Sequence, residues 1–278
     1  MASEGYGSIT SCTQSNQRSA LDSLHRSSVA GSWLETFQSL TGSKPHKPSF
    51  VVLDIGQSGL ITLMKWFAAH HNVSFQADIL SKAVRFPRMS VYQRIRQSSG
   101  DVYGFSINVK QLREVQRLAD PNQFLRDLHR GGCRIIYLHR RDMLRHVIAT
   151  LRTYTSDHNE NFTHPQKQSK FIVDVSELIA CLTYLDNQRL EANAILHNLP
   201  HLSLVYEDDL MDPNSYLTTA QKLSDYLDIP NLQPASSALK LVHQRITDIV
   251  ENYEEIHSGI EASDYAYLLT DSRHLLTR

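Results

Sequence analysis

Two short polar segments each follow an apolar run that has the composition of a buried strand. Asp54-Ile-Gly-Gln-Ser-Gly59 follows Phe50-Val-Val-Leu53, and His139-Arg-Arg-Asp142 follows Arg134-Ile-Ile-Tyr-Leu138. A glycine-bearing turn between a strand and a helix exposes backbone N–H groups where the helix dipole favours anions. Two adjacent arginines suit phosphate, which accepts paired, charge-assisted hydrogen bonds. Each segment alone is also typical of an ordinary turn or a capped helix start, but together they indicate a phosphate-binding site.

The glycine-bearing loop differs from that of ordinary P-loop kinases and NTPases. No Gly-Lys-Ser/Thr sequence follows Gly59, so the loop is not a Walker A motif. The three cysteines lack a CxxC spacing and predict no zinc site. The acidic run Glu207-Asp208-Asp209 is more typical of capping and ion pairing than of metal binding. Neither the cysteines nor the acidic run therefore predicts a metal site.

Charge and composition limit the class of partner. The chain of 278 residues carries 28 Lys and Arg against 29 Asp and Glu, a formal net charge of −1. Such a chain has no general electrostatic attraction for nucleic acid or an anionic membrane. No apolar run approaches the length of about 18 residues that indicates a membrane-spanning helix, and the polar segment 1–18 does not resemble a secretory signal. We expect a cytoplasmic protein in which any anion-binding site is local.

The order of the elements predicts the fold class. Apolar runs at 50–53, 103–107, 134–138 and 202–206 alternate with helical patterns. Alternation of this kind predicts an α/β fold, here a P-loop-like, mainly parallel sheet flanked by helices. Ligands of such folds bind beyond the carboxyl ends of the strands, which would bring both polar segments to one crevice. We expect a loose N-terminal arm with a short helix over 1–48 and one α/β domain over 49–278. A helix is predicted to begin at Leu60, and its apolar face consists of Leu60, Leu63, Met64, Phe67 and Ala68. Further helices are predicted at 91–97, 109–118, 122–130, 142–152, 176–197, 213–227 and 236–257.

Five segments in this order resemble the family of sulfotransferases that use 3′-phosphoadenosine 5′-phosphosulfate (PAPS), most of all its bacterial branch acting on small molecules and sugars. In the first of them, Gln57-Ser-Gly-Leu-Ile61 stands where the family has Arg/Lys-Ser-Gly-Ser/Thr-Thr. The other four are Gly104-Phe105, Ile135-Ile-Tyr-Leu-His-Arg-Arg-Asp142, Leu204-Val-Tyr-Glu-Asp-Asp-Leu210 with Asp212-Pro213, and Ile246–Ile256 with Tyr265-Ala-Tyr267. The resemblance covers about residues 50–270.

The resemblance implies a sulfotransferase-like fold and a reaction. A sulfuryl group passes in line from PAPS to a hydroxyl or amine of a small-molecule acceptor, and adenosine 3′,5′-bisphosphate leaves. For the 3′-phosphate it implies Arg141, with Arg140 as second choice. Asp78 is the counterpart of the family's general base, although a helix N-cap explains this residue equally well. The cofactor-binding residues implied are Gln57, Ser58, Gly59, Leu60, Ile61, Thr62, Arg140, Arg141, Ala149 and Thr150, and Gln57 also stands where a cation assists the leaving group.

Four positions depart from the family pattern. Gln57 stands where the family has a basic residue, and Leu60-Ile61 stands where it has a pair of hydroxyl residues. Ser106 replaces a lysine of the family, and Ala149 replaces the serine that contacts the 3′-phosphate. Because a hydrogen bond to a charged group contributes about 1.5–3 kcal/mol, two or three uncompensated losses would weaken binding by roughly 10³–10⁵. Two alternatives to an active sulfotransferase therefore stay open. They are a catalytically decayed, sulfotransferase-like binding protein and another nucleotide-dependent transferase.

The acceptor pocket is expected between Lys82–Gly100 and Thr153–Lys170, and variable loops such as these do not reveal the acceptor. The sequence leaves the oligomeric state open as well.

Overall fold

The computed structural model of the chain describes residues 47–156, 170–234 and 245–273. All but the last two residues of the predicted N-terminal arm, and most of the predicted pocket wall Thr153–Lys170, lie outside the described residues.

Five parallel strands form one sheet in the order β2-β3-β1-β4-β5. All six residues of the central strand β1 are buried, which explains its uninterrupted apolar run. The strand β2 was not predicted, because it is a short edge strand with only one buried residue. The α/β fold with a parallel sheet flanked by helices is confirmed. The strands are β1 (Ser49–Asp54), β2 (Val73–Gln76), β3 (Val102–Asn108), β4 (Cys133–His139) and β5 (Leu202–Val205).

Helices cover both faces of the sheet because alternate residues of β1 belong to two hydrophobic clusters. The helices are α1 (Leu60–Ala69), α2 (Pro87–Gln97), α3 (Pro121–Arg130), α4 (Met143–Ser156), α5 (Val175–Leu196), α6 (Tyr216–Leu227), α7 (Ile246–Ile249), α8 (Tyr253–Glu261) and α9 (Tyr267–Arg273). Val51 and Leu53 belong to the cluster that includes α2, α3, α4 and α5, whereas Phe50 and Val52 belong to the cluster that includes α1 and α6. Within the described ranges, no helix is long and apolar enough to cross a membrane.

Two predicted helices need correction. The predicted helix at 109–118 is mainly a π-helical turn over Gln111–Val115. The first part of the predicted helix at 236–257, up to residue 244, lies outside the described residues. Its described part is interrupted after α7, because Val250 forms a β-bridge with Phe171 and the Asn252 side chain forms hydrogen bonds with the backbone of Val173. Tertiary pairing therefore overrides the helical pattern at this point.

The buried face of α1 was also predicted incorrectly in part. Trp66 is fully buried with Leu63 and Phe67, whereas Ala68 is exposed. A side-chain cap precedes α6. The Asp212 carboxylate accepts a hydrogen bond from the Asn214 N–H at 2.9 Å, and Pro213 begins a 3₁₀ turn, Pro213–Ser215, that leads into α6.

Candidate active site

The two polar segments lie at the same edge of the sheet. β1 and β4 are hydrogen-bonded neighbours in parallel register, with Leu53 opposite Tyr137, so the chain leaves both strands side by side. Beyond β1, Gly56, Gln57 and Gly59 have φ values of 85°, 45° and 94°, which turn the chain sharply before α1 begins. These positions define the anion loop, residues 56–61. The geometry fits the expected crevice at the carboxyl ends of the strands.

The anion loop presents backbone donors that the protein does not use. Among the described residues, the backbone N–H groups of residues 57–61 donate no hydrogen bond. The N–H of Thr62, by contrast, donates to the Gly59 carbonyl at 3.0 Å. Five consecutive unpaired N–H groups at the start of a ten-residue helix form an arrangement that binds anions.

Three buried side chains hold the loop at Gly56. The Asp54 carboxylate accepts from the Gly56 N–H at 2.8 Å. The Gly56 carbonyl accepts from His146 Nε2 at 2.6 Å and from the Ser58 hydroxyl at 3.0 Å. Asp54 is 3% exposed, and Ser58 and His146 are fully buried. The conformation of the loop therefore depends on groups in the interior.

Two of these groups have shifted pKa values. Burial raises the pKa of Asp54 from 3.8 to about 7, against the hydrogen bond from Gly56, and the charge of Asp78 adds to the rise. Burial also lowers the pKa of His146 from 6.5 to about 4, and the neighbouring charge of Arg140 contributes. At neutral pH, His146 is an uncharged donor and Asp54 lies near the midpoint of its titration.

Arg140 lies beside the loop and forms no ion pair with a described residue, although the charges of Glu207 and Asp142 lie near enough to act on it. Its guanidinium carbon is 4.3 Å from the centroid of the Tyr206 ring, and its Nε is buried without a hydrogen bond. Burial lowers the pKa of this arginine. Tyr206 in turn packs on Gly59, where a Cβ would lie 2.2 Å from the ring. The Tyr206 ring thus connects a half-buried, unpaired cation to the anion loop.

Arg141, the first choice for the 3′-phosphate in the sequence analysis, differs from Arg140 in its surroundings. Its guanidinium pairs with Asp208 at 2.5 Å, and more than half of its side chain is exposed. Its backbone N–H donates to Glu207 Oε2 at 2.9 Å, and Asp142 caps α4 by accepting from the Arg145 N–H at 2.9 Å. Arg141 can therefore bind a phosphate only by giving up or sharing its pairing with Asp208.

The acidic run after β5 has the capping and ion-pairing role that was predicted. Glu207 accepts from the backbone at 141 and 142, and Asp208 pairs with Arg141. Asp209 accepts from the Val205 N–H at 2.8 Å and pairs with Lys222 at 2.9 Å. Within the described parts of the chain, no group of three His, Cys, Asp or Glu side chains is arranged to hold a metal ion.

Asp78 lies at the same edge, near the end of β3. Its Oδ1 accepts from Gln111 Nε2 at 2.8 Å and from Asn108 Nδ2 at 3.4 Å. Its backbone N–H donates to the buried Ser106 hydroxyl at 2.9 Å, and its φ is 49°. Asp78 precedes a turn and not a helix, so the alternative interpretation as an N-cap was wrong. Asp78 is an exposed residue in a backbone conformation that non-glycine residues seldom adopt. Two neighbours bond its carboxylate and a third bonds its backbone N–H.

The remaining predicted residues are placed as follows. Gln57 is exposed, and Ile61 is 64% exposed at the start of α1, whereas Leu60 packs partly against the core. Ala149 and Thr150 lie on α4, where the Thr150 hydroxyl donates to the carbonyl of His146 one turn earlier at 2.9 Å. That hydroxyl is therefore engaged by its own helix and is poorly available to replace the missing serine.

Sequence reasoning missed His146, Tyr206 and Gln111 as site residues. Tyr206 lies within a segment that resembles the family, but the pattern predicts no role for its side chain. His146 lies within a helical pattern and Gln111 just after a strand, and only tertiary contacts reveal their partners. For His146, the one available signal was its spacing of four residues from Asp142, which places both on one side of α4.

Comparisons with known proteins give similarity of fold. No protein-family model and no curated protein matches the sequence. Among solved structures, a sulfotransferase from Alicyclobacillus acidocaldarius is 13% identical with a TM-score of 0.48, covering 84% of this chain and 96% of that one. The sulfotransferase STF9 from Mycobacterium avium is 10% identical with a TM-score of 0.42, covering 86% of this chain and 80% of that one. At this level of similarity, neither activity nor site residues transfer to this chain.

Proposed function

We propose that the protein is a PAPS-dependent sulfotransferase acting on a hydroxyl or amine of a small molecule, such as a secondary metabolite or a sugar-like compound. The observation that carries the proposal is the anion loop, whose five unpaired N–H groups lie beside the unpaired guanidinium of Arg140. These donors fit a ligand that carries two anionic groups. The sequence resemblance supplies the identity of that ligand, and no nucleic acid or membrane takes part.

The phosphate contacts are divided between two regions. In this proposal, residues 57–61 of the anion loop receive the 5′-phosphosulfate, where the dipole of α1 adds to the unpaired donors. Arg140 binds the 3′-phosphate, and Arg141 assists it. This order reverses the one that the sequence implied, because Arg141 already pairs with Asp208 while Arg140 has no ionic partner among the described residues. Thr150 contributes little, since its hydroxyl bonds its own helix.

The acceptor side of the reaction belongs to Asp78. The cofactor, when bound, supplies an activated sulfuryl group whose transfer needs positioning and charge stabilisation and no metal. Gln111 and Asn108 orient one oxygen of the Asp78 carboxylate, which leaves the other oxygen available for the proton of an acceptor. Asp78 accepts that proton as the acceptor attacks, so the exposed position of this carboxylate is an advantage.

Gln57 favours a second candidate function. An amide at this position donates a hydrogen bond but brings no charge to the developing negative charge of the leaving group. Ile61, exposed beside it, adds no donor side chain. A protein that binds the nucleotide without transferring the sulfuryl group would have this loop, and it is the alternative to the enzyme.

Transfer of labelled sulfate from PAPS to a panel of small hydroxyl and amine compounds tests the proposal on the intact chain. We expect label in at least one acceptor, and the labelled product should disappear in an Asp78→Asn variant that still binds adenosine 3′,5′-bisphosphate. Binding of the nucleotide without any transfer would favour the second candidate. Failure to bind either nucleotide would contradict both.

A further inference from the structure

The peptide groups on both sides of Gly56 are held more firmly than a turn requires. Asp54 fixes its N–H, while His146 and Ser58 fix its carbonyl, at distances of 2.6 to 3.0 Å. All three side chains are buried and come from the strand end, the loop itself and α4. Because His146 is the one that lies outside the strand–loop–helix segment, it ties the loop to the helix that follows Arg140.

The orientation of the next peptide N–H follows from this contact. In a trans peptide the carbonyl and the following N–H point in opposite directions, and the described residues contain no cis peptide bond. The Gly56 carbonyl points at a fully buried imidazole, so the N–H of Gln57 points away from it. That N–H is the first of the five unpaired donors of the anion loop.

The hydrogen bond also determines the state of the imidazole. A carbonyl oxygen only accepts, so His146 Nε2 carries the proton and Nδ1 does not. Nδ1 is buried without a hydrogen-bond partner. A pKa lowered to about 4, mainly by burial, keeps the ring neutral at physiological pH. A neutral, fully buried ring suits a fixed donor better than a proton carrier.

We propose that His146 is a positioning residue of the candidate site, which directs the N–H of Gln57 toward the 5′-phosphate by holding the Gly56 carbonyl. The assignment of the 5′ end of the nucleotide to this loop rests on the proposed function. The hydrogen bond itself and its effect on the loop do not depend on it.

Two variants of similar length form a matched test. His146→Gln keeps an N–H donor close to the position of Nε2, whereas His146→Met fills similar space without a donor. Calorimetry should show that His146→Met binds adenosine 5′-monophosphate roughly tenfold more weakly than the unmodified protein, while His146→Gln stays within about threefold. Affinity for adenosine 3′-monophosphate, which lacks the group that the loop binds, should change by less than about twofold in both. Equal 5′-monophosphate affinities in the two variants would overturn the proposal.

Amide hydrogen exchange over residues 54–62, without nucleotide, measures the loop directly. We expect faster exchange in His146→Met and exchange like that of the unmodified protein in His146→Gln. If neither nucleotide binds even to the unmodified protein, the proposed function fails, and this exchange pattern alone decides whether His146 holds the loop. Identical exchange in the two variants would then overturn its role.

A measurement on the unmodified protein covers the case in which His146→Met does not fold. The ¹⁵N chemical shifts of the His146 imidazole at pH 7 should be those of the neutral form protonated at Nε2. Shifts of the Nδ1-protonated form or of the imidazolium would overturn the proposal, because neither agrees with a neutral ring that donates from Nε2 to Gly56.

Discussion

The two edges of the sheet differ in whether their basic side chains have hydrogen-bond acceptors within the protein. At the amino-terminal edge, a cavity of about 250 Å³ is lined by Lys47 and Arg134 among others. Lys47 donates to the carbonyl and hydroxyl of Ser98, and Arg134 donates to the Tyr226 carbonyl. At the opposite edge, Arg140 has no such acceptor within the described ranges. Donors without an acceptor, and not the presence of a concavity, are the reason why we propose the site at the carboxyl edge.

Backbone strain separates the same two edges. Asp228 has a φ of 57° at the end of α6, and Gly132 has a φ of 92° just after α3, where left-handed residues commonly terminate helices. Gln57 and Asp78, with φ values of 45° and 49°, end no helix. The conformations at the amino-terminal edge thus have a structural explanation, whereas those at the carboxyl edge fit a functional one.

Two aspartates with left-handed backbones allow the largest test of this contrast. We expect Asp78→Asn to lower turnover by roughly 10²–10⁴-fold, because the variant cannot accept the acceptor proton. Affinity for adenosine 3′,5′-bisphosphate should hold. Asp228→Asn makes the same chemical change at the opposite edge and should leave turnover unchanged in the sulfate-transfer assay. Equal turnover in both variants would remove Asp78 from the reaction.

Arginines at the two edges give the next largest expected effect. Arg140→Ala should weaken the binding of adenosine 3′,5′-bisphosphate by about 1.5–3 kcal/mol, or roughly 10–150-fold. It should weaken the binding of adenosine 5′-monophosphate much less. Arg141→Ala should have a smaller effect on both, since Asp208 already engages that side chain. Calorimetric titration measures all of these affinities.

Arg134→Ala is the control for this series, because it removes a guanidinium whose acceptor is the Tyr226 carbonyl. It should leave nucleotide affinity unchanged. A loss in Arg134→Ala as large as that in Arg140→Ala would end the distinction between the two edges.

The buried pair that holds Gly56 predicts a smaller effect, on stability against pH. The pKa of Asp54 is raised to about 7, so its contribution to stability is present below pH 3.8 and is lost as the pH rises to about 7. The pKa of His146 is lowered to about 4, so its contribution is present above pH 6.5 and is lost as the pH falls to about 4. Between pH 5 and 6 the contribution of Asp54 to stability therefore falls with rising pH, while that of His146 increases.

Single variants measured by denaturant unfolding should separate the two contributions to the pH dependence of the unfolding free energy. Relative to the unmodified protein, Asp54→Asn should gain about 1.4 kcal/mol of unfolding free energy for each unit that the pH rises between 5 and 6. His146→Gln should lose a similar amount over the same interval. Slopes of the same sign in the two variants would contradict the assignment of these buried groups.

The predictable part of the site is the part that local sequence encodes. The apolar runs of β1 and β4 predicted two buried strands whose exits face one crevice, and the glycines after β1 predicted the loop before α1. The unequal roles of Arg140 and Arg141 were not predictable, because they follow from which residues of the distant 206–208 segment lie beside each arginine. The same holds for the contact of His146 with Gly56, which joins residues 90 positions apart.

Titration of adenosine 3′,5′-bisphosphate into the intact protein at pH 7, followed by calorimetry, tests most directly whether the carboxyl edge is a nucleotide site. The anion loop and Arg140 predict saturable binding at one site, with weaker binding of adenosine 5′-monophosphate and of adenosine 3′-monophosphate, each of which lacks one phosphate. Absence of binding at millimolar nucleotide would contradict the account, as would equal affinity for all three nucleotides.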